Sequence, residues 1–483
     1  MSYFLLASLF VLFFLCSFEK SLSFQTRRRE AIESNHDPQY THLVHLSSLL
    51  PSPTCTSSTK DSKPKASLEV RHKHGPCSQH NEDKEKVPTH KDILSEDQKR
   101  VNHIHSRLSK KKGHDNSVKE ELDSTTLPAK SGSLIGSGNY FVVVGIGSPK
   151  RDLSLIFDTG SDLTWTQCEP CARSCYKQQD PIFDPSKSTS YSNITCTSSL
   201  CTQLTSATGN QPGCASSTNA CIYGIQYGDS SFSVGYFSQE RLTVTPTDVI
   251  DNFLFGCGQN NQGLFGGSAG LLGLGRHPIS FVEQTSTKYK KLFAYCLPST
   301  ASNVGYLTFG RVADNYIKYT PLSTTSGSSS FYALDLLGIN VGGTKLSLSS
   351  STFSTGGTII DSGTVITRLP PTAYTALRTE FQKGMSRYPK ASALSILDTC
   401  YDFSGYKVFA IPKISFLFGG GVTVDLAAAG VLYVGSVKQV CLAFAANGDD
   451  SDTTIFGNVQ QKTLQVVYDA GGGKVGFGTG GCK

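Results

Sequence analysis

From Asn139 onward the chain is written in short apolar runs separated by Gly, Asn, Asp and Ser. Tyr140-Phe141-Val142-Val143-Val144 is aromatic and β-branched and is broken by Gly145, Gly147 and Pro149; Leu153 to Phe157 is a second such run. Many more follow, so the pattern predicts an all-β architecture of short strands and tight turns, a sandwich or barrel. Helical spacing is rare. Thr372 to Met385 carries it, as does Lys91 to Leu108, where Ile93, Leu94, Val101, Ile104 and Leu108 recur at helical intervals. The remainder of residues 24–130 is polar, rich in Ser, Lys and His, and is expected to hold little structure of its own. At the start, Phe4 to Phe18 is uncharged and almost wholly apolar. It is shorter than the ~20 residues of a membrane span. With small residues at Ser21 and Ser23 it reads as a secretory signal over residues 1–23, although no basic residue precedes it. No later run is long enough to span a bilayer, so the mature chain is expected to be free of membrane.

Internal repetition changes the picture most. Leu155-Ile156-Phe157-Asp158-Thr159-Gly160-Ser161 resembles Thr358-Ile359-Ile360-Asp361-Ser362-Gly363-Thr364. Each copy is followed, farther along, by apolar-apolar-Gly: Leu271-Leu272-Gly273 and Ile455-Phe456-Gly457. A single Asp-Thr-Gly is an ordinary strand end closed by an Asx-type turn. Two copies in matched contexts point to a duplicated β-domain, each half presenting one carboxylate. The divisions that follow are a signal at 1–23, a propeptide at 24–130, an N-terminal lobe at 131–322, a Ser-rich hinge at 323–330 and a C-terminal lobe at 331–483.

Composition sharpens these divisions. Residues 24–130 hold ten of the eleven histidines, with 19 Lys and Arg against 15 Asp and Glu. Residue 131 onward holds 24 against 22, and His277 alone. Neither balance is the basic footprint of a dedicated nucleic-acid binder, and the Lys110-Lys111-Lys112 run with Arg107 reads as a solvated face. Of 15 cysteines, Cys16 lies in the signal and Cys55 and Cys77 in the polar segment. The other twelve are Cys168, Cys171, Cys175, Cys196, Cys201, Cys214, Cys221, Cys257, Cys296, Cys400, Cys441 and Cys482. In an exported chain this even number implies up to six disulfides. Cys168, Cys171 and Cys175 have a spacing zinc could use, but no second pair or histidine stands nearby, and no metal or other cofactor is expected. Asn193-Ile194-Thr195 is a glycosylation sequon.

Five stretches, FDTGSDLTWTQCEPC at 157–171, YGDSS at 227–231, GLLGLG at 270–275, IIDSGTVITRLPP at 359–371 and IFGNVQQ at 455–461, resemble the pepsin-like aspartic proteases, in particular the plant nepenthesin-like group and its apoplastic and chloroplast-nucleoid members. HKHGPCSQ at 72–79 resembles that subgroup's propeptide. The resemblance implies a bilobed β-fold with the active-site cleft between the lobes, peptide-bond hydrolysis in protein substrates by a water between Asp158 and Asp361, an acid optimum, a monomer, and a propeptide that inhibits until removed. It implies that Thr159 and Ser362 bond across the two loops, that Ser161 and Thr364 bond the outer carboxylate oxygens, and that Cys400 pairs with Cys441. Gly160 and Gly363 are expected to let the chain turn beneath each carboxylate. Tyr227 matches the flap tyrosine that closes over a bound peptide, against the plainer reading of a core tyrosine on a hairpin. Trp165 is expected to pack beside it, or simply to fill the core. Some plant relatives on this scaffold have lost catalytic residues and block glycosidases; both motifs here are intact. The charge distribution adds one expectation. At neutral pH the propeptide's Lys and Arg pair with carboxylates around the cleft, and acid releases them as those carboxylates and the histidines take up protons. The compartment implied is the apoplast or cell exterior, with the chloroplast as alternative.

Overall fold

Residues 38–56, 66–78, 88–110, 140–227, 231–263, 265, 267–312, 316–324 and 330–482 are described by the computed structural model. The signal at 1–23, the end of the basic run at 111–112, residues 228–230 of the YGDSS stretch and residues 325–329 of the hinge lie outside them.

The alternating and continuous apolar runs become strands, as the pattern requires. Arg151–Asp158 is buried along its last six residues, so both faces of that stretch are covered, with Leu153, Leu155, Ile156 and Phe157 supplying its apolar side chains. It pairs antiparallel with Tyr140–Ile146 and parallel with Gly270–Gly273, Gly273 standing beside Asp158. In the second half Thr358–Ile360 pairs parallel with Thr454–Phe456, Ile360 beside Phe456. The same antiparallel contact closes each unit: Leu271 opposite Trp165, and Ile455 opposite Arg368. The repeat is therefore a repeat of topology, and it sets Asp158 and Asp361 at matched strand ends.

The halves meet over a shared sheet in which Lys318–Pro321, Lys474–Gly478, Gln465–Asp469, Leu292–Cys296 and Gly305–Phe309 are successive neighbours. Strands near the C-terminus thus pair with strands of the first half. Phe293 and Tyr468 stack there with centroids 4.5 Å apart, and Tyr332 meets Tyr468 edge-on at 4.5 Å. This layer is the floor on which both aspartate loops rest.

The polar N-terminal segment departs from expectation. Ser67–His72 is a strand inserted between Gly305–Phe309 and Tyr140–Ile146, making one continuous sheet of the shared layer and the first half. Thr41–His45 pairs antiparallel with Val408–Pro412 of the second half. Cys55 and Cys77 form a disulfide. The expectation of little structure fails because these strands are ordered by sheet edges from about 70 to more than 300 residues away, whose unpaired backbone groups they satisfy. Local composition carries no trace of that. The helix is where spacing put it, at His90–Lys110. Thr89 opens it: its hydroxyl accepts from Asp92 N at 3.2 Å while Asp92 Oδ2 accepts from Thr89 N at 3.0 Å, a reciprocal cap. The second helix runs Pro371–Gly384.

Six disulfides join the twelve later cysteines: 168–257, 171–175, 196–214, 201–221, 296–482 and 400–441. Cys168, Cys171 and Cys175 are all consumed in this way. Among the described residues no helix is long and apolar enough to cross a membrane.

Candidate active site

Asp158 and Asp361 end their strands almost fully buried, 1% and 0% exposed. Each loop closes on its own carboxylate: Gly160 N donates to Asp158 Oδ1 and Gly363 N to Asp361 Oδ1, both at 3.0 Å. The loops also hold each other. Ser362 N donates to Thr159 Oγ1 at 2.9 Å and Thr159 N to Ser362 Oγ at 3.1 Å. Thr364 Oγ1 donates to Asp361 Oδ2 at 2.6 Å. The Ser161 side chain stands close enough to Asp158 to lower that carboxyl's pKa, although Arg100 occupies both oxygens of Asp158.

Gly160 and Gly363 serve a different purpose from the tight turn expected of them. Neither has a positive φ. A Cβ on Gly160 would lie 2.7 Å from Asp361 Oδ1, and one on Gly363 would lie 2.6 Å from Asp158 Oδ1. Each glycine makes room for the opposite lobe's carboxylate.

The group that joins the pair comes from the N-terminal segment. Arg100 Nη2 donates to Asp158 Oδ1 at 2.7 Å and to both oxygens of Asp361, at 3.0 and 2.9 Å; Nη1 reaches Asp158 Oδ2 at 3.2 Å and Nε reaches Asp361 Oδ2 at 3.0 Å. One guanidinium spanning both carboxylates is charge-assisted, multidentate recognition. Burial pushes both carboxyls up and Arg100 pulls both down. At Asp158 the guanidinium and its hydrogen bonds prevail and the pKa falls below the usual carboxylate range. At Asp361 burial, joined by the charge of Asp158, prevails and the pKa rises.

The helix bearing Arg100 fills the cleft. Ile93 and Leu94 pack against Val365 and Ile366, and Val101 and Ile104 against Phe331, Ile359 and Ile455. Asp97, 0% exposed, accepts from Val365 N at 2.6 Å and Ile366 N at 3.1 Å and pairs with Arg368 at 2.9 Å. Arg107 lies over the Phe331 ring at 5.4 Å, inside the cleft, which corrects its reading as part of a solvated face. Sequence reasoning missed Arg100, Asp97 and Arg368. One signal was present: Asp97 and Arg100 fall on the apolar stripe through Ile93, Val101 and Ile104, and a charge on a buried face requires a partner. Gln461, also missed, ties the floor together, donating to Asp361 O at 3.2 Å and Phe456 O at 2.8 Å.

On the other side of the cleft Trp165 is fully buried and its Nε1 donates to Tyr227 OH at 2.7 Å. Phe265 lies edge-on to both rings. Asn193 sits on an exposed strand, where its Oδ1 accepts from Tyr191 OH at 2.7 Å and Ser238 Oγ at 3.0 Å. Among the described residues no cluster of His, Cys, Asp and Glu could hold a metal.

A two-lobed β-fold whose lobes each deliver one buried Asp to a common point defines a pepsin-like aspartic protease. Comparison with known proteins agrees. The family described as "Xylanase inhibitor N-terminal" matches residues 140–311, and "Xylanase inhibitor C-terminal" matches 331–479. An aspartyl protease family protein of Arabidopsis thaliana is 58% identical over 92% of this chain and 93% of its own length. Aspartic proteinase nepenthesin-2 of Nepenthes gracilis is 39% identical over 69% of this chain and 76% of its own. A crystal structure of edgp shares the fold, with TM-score 0.58 and 21% identity over 72% of this chain and 96% of that one. The chain belongs to the plant pepsin-like aspartic proteases and is an aspartic-type endopeptidase.

Proposed function

We propose that this chain is the zymogen of a secreted, acid-active aspartic endopeptidase, with Asp158 and Asp361 as the catalytic pair and residues 24–130 as an inhibitory propeptide. The observation that carries the reading is the single guanidinium of Arg100 bound to both carboxylates. Its placement supports two statements: the carboxyls face one another closely enough to act on one substrate atom, and the N-terminal segment blocks that point.

In the mature enzyme the ionised partner takes a proton from a water as the water oxygen bonds to the scissile carbonyl carbon, and the protonated partner gives its proton to the carbonyl oxygen. The tetrahedral adduct then breaks its C–N bond as a proton passes to the leaving nitrogen. Thr364 and the two glycine amides hold the carboxylates in place throughout. Tyr227, anchored by Trp165, stands where a closing flap excludes water.

Acid drives release. Arg100 lowers the pKa of both aspartates, so its grip is full above their unmasked pKa and is lost as pH falls through the masked values. His72, on the inserted strand, is held down to about 3 by burial and by Lys462, Lys73 and His90. The docked strand refuses a proton that the free strand accepts below ~6.5, so docking weakens across that range. Burial lowers His90 as well. The seven disulfides support export to an oxidising compartment, the apoplast.

The test is to express the full chain, incubate it from pH 7 to pH 3, and follow processing together with hydrolysis of a denatured protein. Acid-triggered processing with activity blocked by a statine-type mimic is expected. Activity of the unprocessed chain at neutral pH would overturn the zymogen reading. A reporter carrying residues 1–23 should appear outside the cell; delivery to plastids would overturn export.

A further inference from the structure

Arg368 is the one guanidinium in the C-terminal half that is 0% exposed while lying on the cleft wall, and its charge is met from outside the catalytic lobes. Its Nη1 donates to Ile366 O at 2.8 Å, which fixes the plane of the group. Its Nε and Nη2 are buried without an aligned hydrogen bond among the described residues, and Nη2 meets Asp97 Oδ2 as an ion pair at 2.9 Å. Burial pulls its pKa down and Asp97 pulls it back. The two backbone amides beside it, Val365 N and Ile366 N, also spend themselves on Asp97. Two amide donors and one guanidinium charge on one short stretch, four, five and seven residues beyond Asp361, therefore converge on a single carboxylate carried by the cleft helix. When that helix leaves, the donors stay, because they belong to the strand and loop of the catalytic lobe.

The internal repeat says where this stretch faces. Arg368 opposes Ile455 as Trp165 opposes Leu271, so Arg368 occupies in the second half the position Trp165 holds in the first. Trp165 reaches across the cleft side to Tyr227. We infer that Arg368, with the amides of Val365 and Ile366, forms a substrate subsite that accepts an acidic side chain, and that Asp97 occupies it in the precursor. The floor beside it is aliphatic, since Ile93 and Leu94 of the same helix cover Val365, Ile366, Leu397 and Val459. The favoured substrate is thus a peptide carrying Asp or Glu next to a bulky aliphatic residue on the side of the scissile bond bound by the second lobe. The physical reason is the cost of a buried guanidinium left unpaired, which a neutral side chain does not relieve and a carboxylate does.

This inference rests on the protease reading, and the experiment separates the two. Acid-matured enzyme is given a series of otherwise identical peptides in which a Glu or its isostere Gln is walked through four positions on each side of the scissile bond. At one position kcat/KM for Glu should exceed that for Gln by about tenfold or more at pH 5. The ratio should shrink below pH ~4, where the Glu carboxyl takes up its proton. In R368M the ratio should collapse to about one, and R368K should restore part of it. If every Glu and Gln pair is cleaved equally by the wild type, or if the preference survives R368M, the subsite assignment is wrong. If neither peptide is cleaved at all, the protease reading itself fails. The wild-type ratio and its pH dependence decide the matter even where R368M does not fold.

Discussion

The two lobes open their catalytic stretches alike and finish them differently. In the first, the strand after Asp158 arrives at Trp165, whose indole joins Tyr227 and Phe265 in an aromatic wall. In the second, the equivalent strand arrives at Arg368, which with the amides of Val365 and Ile366 makes a cationic wall over an aliphatic floor. Near the carboxylates the duplication is preserved: a glycine amide donates to each carboxylate and Thr159 and Ser362 bond each other. Seven residues on, no such mutual bond ties the halves, and there the lobes diverge. The difference teaches that symmetry is kept where the two loops bond each other and their carboxylates, and given up seven residues on, where the two strands face different surroundings.

The comparison is broken most severely by removing either carboxylate. Asp158→Asn and Asp361→Asn should each lower the rate by several orders of magnitude, and the double variant should be little worse, since the pair acts as a unit. Hydrolysis of a denatured protein by the matured variants checks it. Gly363→Ala and Gly160→Ala come next. A methyl placed 2.6–2.7 Å from the opposite carboxylate must push the pair apart, so a loss of at least about a hundredfold in kcat is expected from each, with similar size in both lobes.

Tyr227→Phe tests the aromatic wall alone. It leaves the buried Trp165 Nε1 without its acceptor, at ~1–3 kcal/mol, and should lower kcat/KM by roughly five- to a hundredfold without altering any Glu-over-Gln preference. An altered preference would mean that the walls are not independent.

Smaller effects concern the N-terminal segment, whose helix carries Arg100. Arg100→Met removes the cation joining the carboxylates, so precursor processing should begin at higher pH, with a midpoint shift of about one unit. His72→Gln has the opposite sign and the smallest size. The docked strand no longer excludes a proton, so the midpoint should move down by a few tenths of a unit. His90→Gln should add to it. Processing followed by gel across pH checks both; an unmoved midpoint in the double variant would leave carboxylate protonation as the only driver.

Much of this molecule is legible in its text. The duplicated Asp motif, the strand runs and the later apolar-apolar-Gly segments carry the two-lobed β-fold, because each is a local pattern that reports its own burial. The helix at His90–Lys110 follows from spacing for the same reason. What the helix does could not be read in this way. Arg100 and Asp97 find their partners 58, 261 and about 270 residues away, and nothing near them in sequence names those partners. The same holds for Ser67–His72, a polar stretch that becomes a central strand because two remote edges leave a gap of its width. Sequence by itself determined which residues are apolar, where they repeat and that two aspartates are matched. Only the tertiary structure decided which cation meets them, why their glycines must lack a side chain, and that Arg368 stands where Trp165 stands, since these depend on distances across the cleft rather than along the chain.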